Sequence, residues 1–126
     1  MKTKLKFAQL PPSVNHIYRH TRNGVRRTEA YNTWANGEGY GLNRQMAGQH
    51  RFLGPVYLTI AMRRPRSNAD LDNRLKGLID LLQQIGAIAN DKLVMGINAY
   101  WSATLPAGVA AEVSVVDADA LEEVAA

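Results

Sequence analysis

A chain of 126 residues is enough for one domain, since domains commonly hold about 100–150 residues and one this size buries roughly two-thirds of its unfolded surface. No apolar run approaches the roughly 20 residues of a membrane span, the lysines of MKTKLKF lead into no apolar signal region, and the lack of cysteine excludes disulfides, thiolate metal ligands and a Cys nucleophile. Net charge is +4, but residues 1–76 hold 14 Lys or Arg against four acids (+10) while residues 77–126 hold Lys92 against seven (−6), the polarity of a chain that turns one basic surface toward a polyanion.

From Thr3 to Leu10, Lys4 and Lys6 alternate with Leu5 and Phe7, the period of a half-buried strand, and Pro11-Pro12 ends it. Residues 13–28 form a basic loop containing Arg19, Arg22, Arg26 and Arg27, in which Asn23-Gly24 equally fits a short hairpin. Thr28 is a capping residue before a predicted helix, although Gly37, Gly39, Gly41 and Gly48 would each cost about 1 kcal/mol in a helix interior. Val56 to Met62 reads as a buried central strand. Asp70 to Ile85 is the clearest helix, with Leu71, Leu75, Leu78, Ile79, Leu82 and Ile85 on one stripe and Gly86 placed to end it. Leu93–Ala103 and Val109–Val116 follow as two strands joined by a Leu-Pro-Ala-Gly turn, and an acidic tail runs over about 117–126. The order β-α-β-α-β-β predicts a single small α+β domain, a mixed sheet with two packed helices, in a cytoplasmic setting.

Asp70-Leu71-Asp72-Asn73 stands where the central strand gives way to the helix. A spacing of two puts side chains about 200° apart in a continuous helix, so both carboxylates converge only if the helix boundary falls here. Asp91 enters from the loop after that helix. Clustered carboxylates need a cation, and oxygen-only ligands point to Mg²⁺ or Mn²⁺. Arg63, Arg64, Arg66, Arg74 and Lys76 surround the two aspartates, and cations around a metal serve phosphate. Lys76, one turn after Asp72, is placed to touch a scissile phosphate or orient a water. Plainer readings stand beside these: Asp70 or Asp72 as a helix cap, Lys76 in an i,i+4 pair with Asp72 or Asp80, Asp91 as a turn residue, and Trp34, Trp101 and the tyrosines as core. His16, His20 and His50 lack regular ligand spacing.

Three blocks carry a family likeness: Leu10-Pro11-Pro12-Ser13-Val14-Asn15-His16-Ile17-Tyr18-Arg19, Asp70-Leu71-Asp72-Asn73-Arg74-Leu75-Lys76, and Asn90-Asp91-Lys92-Leu93-Val94. The chain resembles the RusA-type Holliday junction resolvases (crossover junction endodeoxyribonucleases). The resemblance implies a homodimer that binds four-way DNA junctions by structure and makes paired symmetric incisions with Mg²⁺. It would make Asp70, Asp72 and Asp91 the metal carboxylates and Lys76 the catalytic lysine, with Asn15, Tyr18 and Arg19 shaping the site or touching DNA. Asn90 stands where family members commonly carry a second Asp. Such proteins are often of phage or prophage origin. Two other functions fit the charge pattern: a non-catalytic DNA-binding protein, and a metal-dependent nuclease of linear or flapped DNA.

Overall fold

In the computed structural model, which describes residues 1–118, the alternation at the start of the chain becomes strand β1 (Lys2–Phe7), with Thr3, Leu5 and Phe7 buried and the lysines exposed. It stops at Phe7 rather than Leu10 because Ala8 and Gln9 turn away to donate their N–H groups to the Glu38 carboxylate. The basic segment is not one loop. After a 3-10 turn (Val14–His16) it forms a hairpin of β2 (Tyr18–Thr21) and β3 (Gly24–Arg27). Arg22 and Asn23 make its two-residue turn, and Gly24 opens β3 at a φ of +113° that a side chain would resist. The chain order therefore contains two more strands than predicted.

The glycine-rich stretch is helix α1 (Glu29–Gln45), started by the Thr28 hydroxyl accepting from the Tyr31 N–H at 3.2 Å. Tertiary contacts outweigh propensity here. Tyr31, Trp34 and Leu42 are buried, and Trp34 stacks on Phe7. Gln45 and Gln49 exchange amide hydrogen bonds of 2.8–2.9 Å with the outward backbone of Lys6 and Lys4. The end of the helix and the turn after it thus close the β1 edge of the sheet, whose exposed backbone groups would otherwise recruit another strand.

Strand β4 (Val56–Met62) is central as predicted, and the sheet order is β1-β6-β4-β5. Strands β5 (Val94–Trp101) and β6 (Ala111–Asp117) do not pair with each other. β5 lies parallel to β4 on one side, and β6 lies antiparallel to it on the other. The Leu-Pro-Ala-Gly turn is therefore part of a connection past the end of β4, and Arg63 fastens it by donating to the carbonyls of Leu105, Pro106 and Val109. Residue 117, where the acidic tail was expected to begin, ends β6; residues 119–126 of that tail lie outside the described residues.

Helix α2 (Leu75–Gln84) crosses over between β4 and β5. It begins later than the stripe predicts, since Asp72–Arg74 is a 3-10 turn and Asp70 precedes it. Gly86 ends it at a φ of +78°. Leu78, Leu81 and Leu82 join Leu5, Phe7, Leu58, Ile60 and Val113 in one core.

Tyr31 carries a buried hydroxyl with no hydrogen-bond partner. Burial, only partly countered by the Arg27 guanidinium over its ring, pushes its pKa from 10.0 up to about 12. The neutral phenol is what the fold accommodates, so its stability contribution is intact below pH 10 and lost as pH rises through about 12. Tyr31→Phe should equal or exceed the parent in stability at pH 7, by about 1 kcal/mol at most, because an unpaired buried donor is removed. Urea titrations should show a smaller alkaline decline over pH 10–12 in the variant than in the parent, the remainder coming from groups such as Tyr18 and Lys76 whose pKa values are also raised.

Candidate active site

The three sequence blocks meet around α2. The turn Val14–His16 packs against the turn Asp72–Arg74 and against α2, while a third 3-10 turn, Asp91–Leu93, packs on the same helix. The Arg74 guanidinium donates to the Pro11 carbonyl at 2.5 Å, fastening the early block to the helix start. Burial, with Arg66 nearby, lowers the Arg74 pKa. Asp70 and Asp72 are exposed on the segment entering α2, and neither forms an ion pair among the described residues. Among the described residues the Asp70 side chain accepts a single 3.4 Å hydrogen bond, from the Asn73 amide.

Asp91 is presented by a capped turn. The Asn90 side chain accepts from the Lys92 N–H at 2.9 Å, and Gln83 accepts from the Asp91 N–H at 3.0 Å. Asn caps as well as Asp does, so Asn90 keeps the turn while removing a charge. The Asp91 carboxylate lies 3.5 Å from Lys76 Nζ. Lys76 therefore stands between Asp91 and Asp80, whose Oδ1 is 3.0 Å away. The hydrogen bond to Asp80, reinforced by the charges of Asp80, Tyr18 and Asp91 against the opposing effect of burial, raises the Lys76 pKa. Such a lysine is a fixed cation rather than a base. Tyr18 donates to Asp80 Oδ2 at 2.9 Å, and burial followed by that bond raises the phenol's pKa. Tyr18, Arg27, Lys76, Asp80 and Asp91 line a cavity of about 360 Å³.

The structure thus joins Lys76 to Asp91, with Asp70 and Asp72 on the preceding turn; among the described residues, no three acidic or histidine side chains converge on one point. The predicted DNA-binding residues divide. Asn15, Arg19, Arg22, Arg26 and Arg66 are exposed, and the four arginines make no ion pair among the described residues. Arg27 lies over Tyr31 and 4.0 Å from Asp80, Arg64 lies over Trp101, and Arg63 and Arg74 are spent on backbone carbonyls. A larger cleft of about 810 Å³ lies between the Pro11-Pro12 turn and α1. Its Glu38 is committed to the Ala8 and Gln9 N–H groups, and its other acid, Glu29, stands at the start of α1 without Asp70, Asp72, Asp91 or Lys76 among the lining residues.

Asp80, by sequence one half of an i,i+4 pair with Lys76, has a larger part in the structure. It lies about 200° around the helix from Leu78 and Leu82, on the face that periodicity assigns to water, yet it is only 6 % exposed. The hairpin covers it, and no local signal encodes that.

The sequence model of a family described as Endodeoxyribonuclease RusA matches residues 9–115. The chain belongs to this family. Membership implies an endodeoxyribonuclease of the Holliday-junction-resolving kind, and the matched span takes in the hairpin, both aspartate blocks and Lys76. A search of curated proteins returned no match. No helix among the described residues is long and apolar enough to cross a membrane.

Proposed function

We propose that this RusA-family protein resolves four-way junctions by Mg²⁺-dependent hydrolysis, with Asp70, Asp72 and Asp91 as the site's carboxylates and Lys76 as its fixed cation. The observation that carries this reading is the pair of exposed carboxylates on the segment that leads into Lys76, which, like Arg19, Arg22 and Arg26 of the adjacent hairpin, make no ion pair among the described residues. The donor set fits the metal. All its donors are oxygens, and Mg²⁺ keeps several waters, binding through one or two carboxylates plus substrate phosphate rather than in a closed protein cage; Mn²⁺ fits the same donors. When bound, the metal supplies a water of lowered pKa and neutralises phosphate charge.

The protein's own residues supply the rest. Lys76, held charged between Asp80 and Asp91, puts a cation beside the phosphate where negative charge grows. Arg19, Arg22, Arg26 and Arg66 contact the backbone of the junction arms, a role that positions without reading sequence. We place the protein in the cytoplasm of a bacterial or phage-infected cell.

Paired incisions require two copies, since one chain offers one site. The β5 edge supports a place for the second copy. The β1 edge is closed by Gln45 and Gln49, whereas β5 is an edge strand with no charged residue and with Met95, Ile97 and Tyr100 exposed. Antiparallel β5–β5 pairing about a two-fold axis would satisfy it, and Ile97→Lys should shift sedimentation from dimer to monomer.

The decisive comparison is a four-way junction against its own linear arms. Symmetric Mg²⁺-dependent nicks on the junction alone are expected. Equal cutting of linear or flapped DNA would replace this reading with a general nuclease, and binding without metal-dependent nicking would replace it with a DNA-binding protein.

A further inference from the structure

Asp80 is the only charged side chain in the core of the described residues, and its partners come from two directions. Oδ1 holds Lys76 Nζ on its own helix at 3.0 Å, while Oδ2 takes the Tyr18 hydroxyl at 2.9 Å and lies 4.0 Å from an Arg27 nitrogen. Tyr18 begins β2 and Arg27 ends β3, and the two are paired across the hairpin. One carboxylate therefore pins the open end of the hairpin, whose outer part carries Arg19, Arg22 and Arg26. Lys76 has just one other acidic partner among the described residues, Asp91 at 3.5 Å, so Asp80 is its shorter and better buried anchor.

We propose that Asp80 is a positioning residue that latches the basic hairpin to α2 and, through the same carboxylate, fixes Lys76 in the active site. This rests on the reading of Lys76 as part of the nuclease. A buried carboxylate persists only when its oxygens are paired, and here the partners are the lysine of the site and the root of the proposed DNA-binding hairpin. Load on the hairpin arginines thus reaches the group that aims Lys76.

The full chain would be tested on a four-way junction by single-turnover cleavage and by binding, with Asp80→Asn, Lys76→Ala and the double variant. Backbone amide exchange over residues 18–27 of the free protein would be measured alongside. Asp80→Asn should cut about 10²-fold more slowly, the scale on which misplacing a catalytic group by about an ångström acts, with junction affinity changed by less than about tenfold. In the Lys76→Ala background the same change should cost nothing further, since a residue acting through Lys76 is silent without it. Amide exchange in the hairpin should quicken in Asp80→Asn. Full additivity of the two cleavage losses, or undiminished cutting by Asp80→Asn, would overturn the proposal. If Asp80→Asn does not fold, Tyr18→Phe decides, with a smaller loss in rate and quickened hairpin exchange expected and no change in either overturning it. Should the parent cut no DNA, the nuclease reading fails by itself, and unchanged hairpin exchange in Asp80→Asn would separately refute the latch.

Discussion

Asp70→Asn should bind a four-way junction as the parent does and cut it at least about 10³-fold more slowly in Mg²⁺. The exchange keeps shape and removes charge. Asp70 is exposed, and among the described residues its side chain accepts one hydrogen bond, at 3.4 Å from Asn73, so little folding energy depends on it and thermal denaturation should be unchanged. As a metal carboxylate it would act where phosphate charge develops. That contribution is worth several kcal/mol, each 1.36 kcal/mol being tenfold in rate. If Asp70 were merely a helix cap, the asparagine would cap equally well and cleavage would continue. Unimpaired cutting by folded Asp70→Asn would therefore remove it from the site. Chelating the divalent ion from the parent should reproduce the variant's phenotype, binding intact and incision absent.

The largest effect on stability is expected at Gly77. A glycine inside α2 costs about 1 kcal/mol against alanine, and the structure shows what requires it: a Cβ there would stand 2.6 Å from the Pro11 Cβ and 3.0 Å from its Cγ, with the Ile17 Cδ1 at 3.5 Å. The proline ring cannot swing aside as a long side chain would, and the Arg74 bond to the Pro11 carbonyl holds that segment down. Gly77→Val should destabilise by about 3 kcal/mol, the upper part of the range for overpacking, lowering the melting temperature by on the order of 10 °C for a chain this size. Because Pro11 leads into the turn beside Asp72 and then into the hairpin, the variant that remains folded should also cut more slowly. An unchanged melting temperature would show that the helix and the proline segment separate without cost.

Much of the architecture was legible in sequence because its signals are local. Two-residue alternation marked β1, an apolar β-branched run marked β4, and the leucine stripe marked α2. Each depends on neighbours within a few residues. Strand pairing is not local, so a short turn between β5 and β6 suggests neighbours where the sheet places β4 between them. Helix α1 was obscured because the favourable terms are tertiary: the burial of Tyr31 and Trp34 and the glutamine bonds to β1 outweigh three internal glycines.

The aspartates divide in the same way. Sequence by itself determined that Asp70 and Asp72 flank a helix boundary amid cations, because a change of period and a run of arginines are written in consecutive residues. It also determined the family, through three motif blocks spread along the chain. Only the tertiary structure decided that Lys76 faces Asp80 and Asp91, that Arg63 and Arg74 are fastened to carbonyls while Arg19, Arg22 and Arg26 of the hairpin make no ion pair among the described residues, and that a carboxylate on the polar face of α2 is buried. Burial depends on what the rest of the chain lays over a residue, and a hairpin more than 50 residues earlier lies beyond any local pattern.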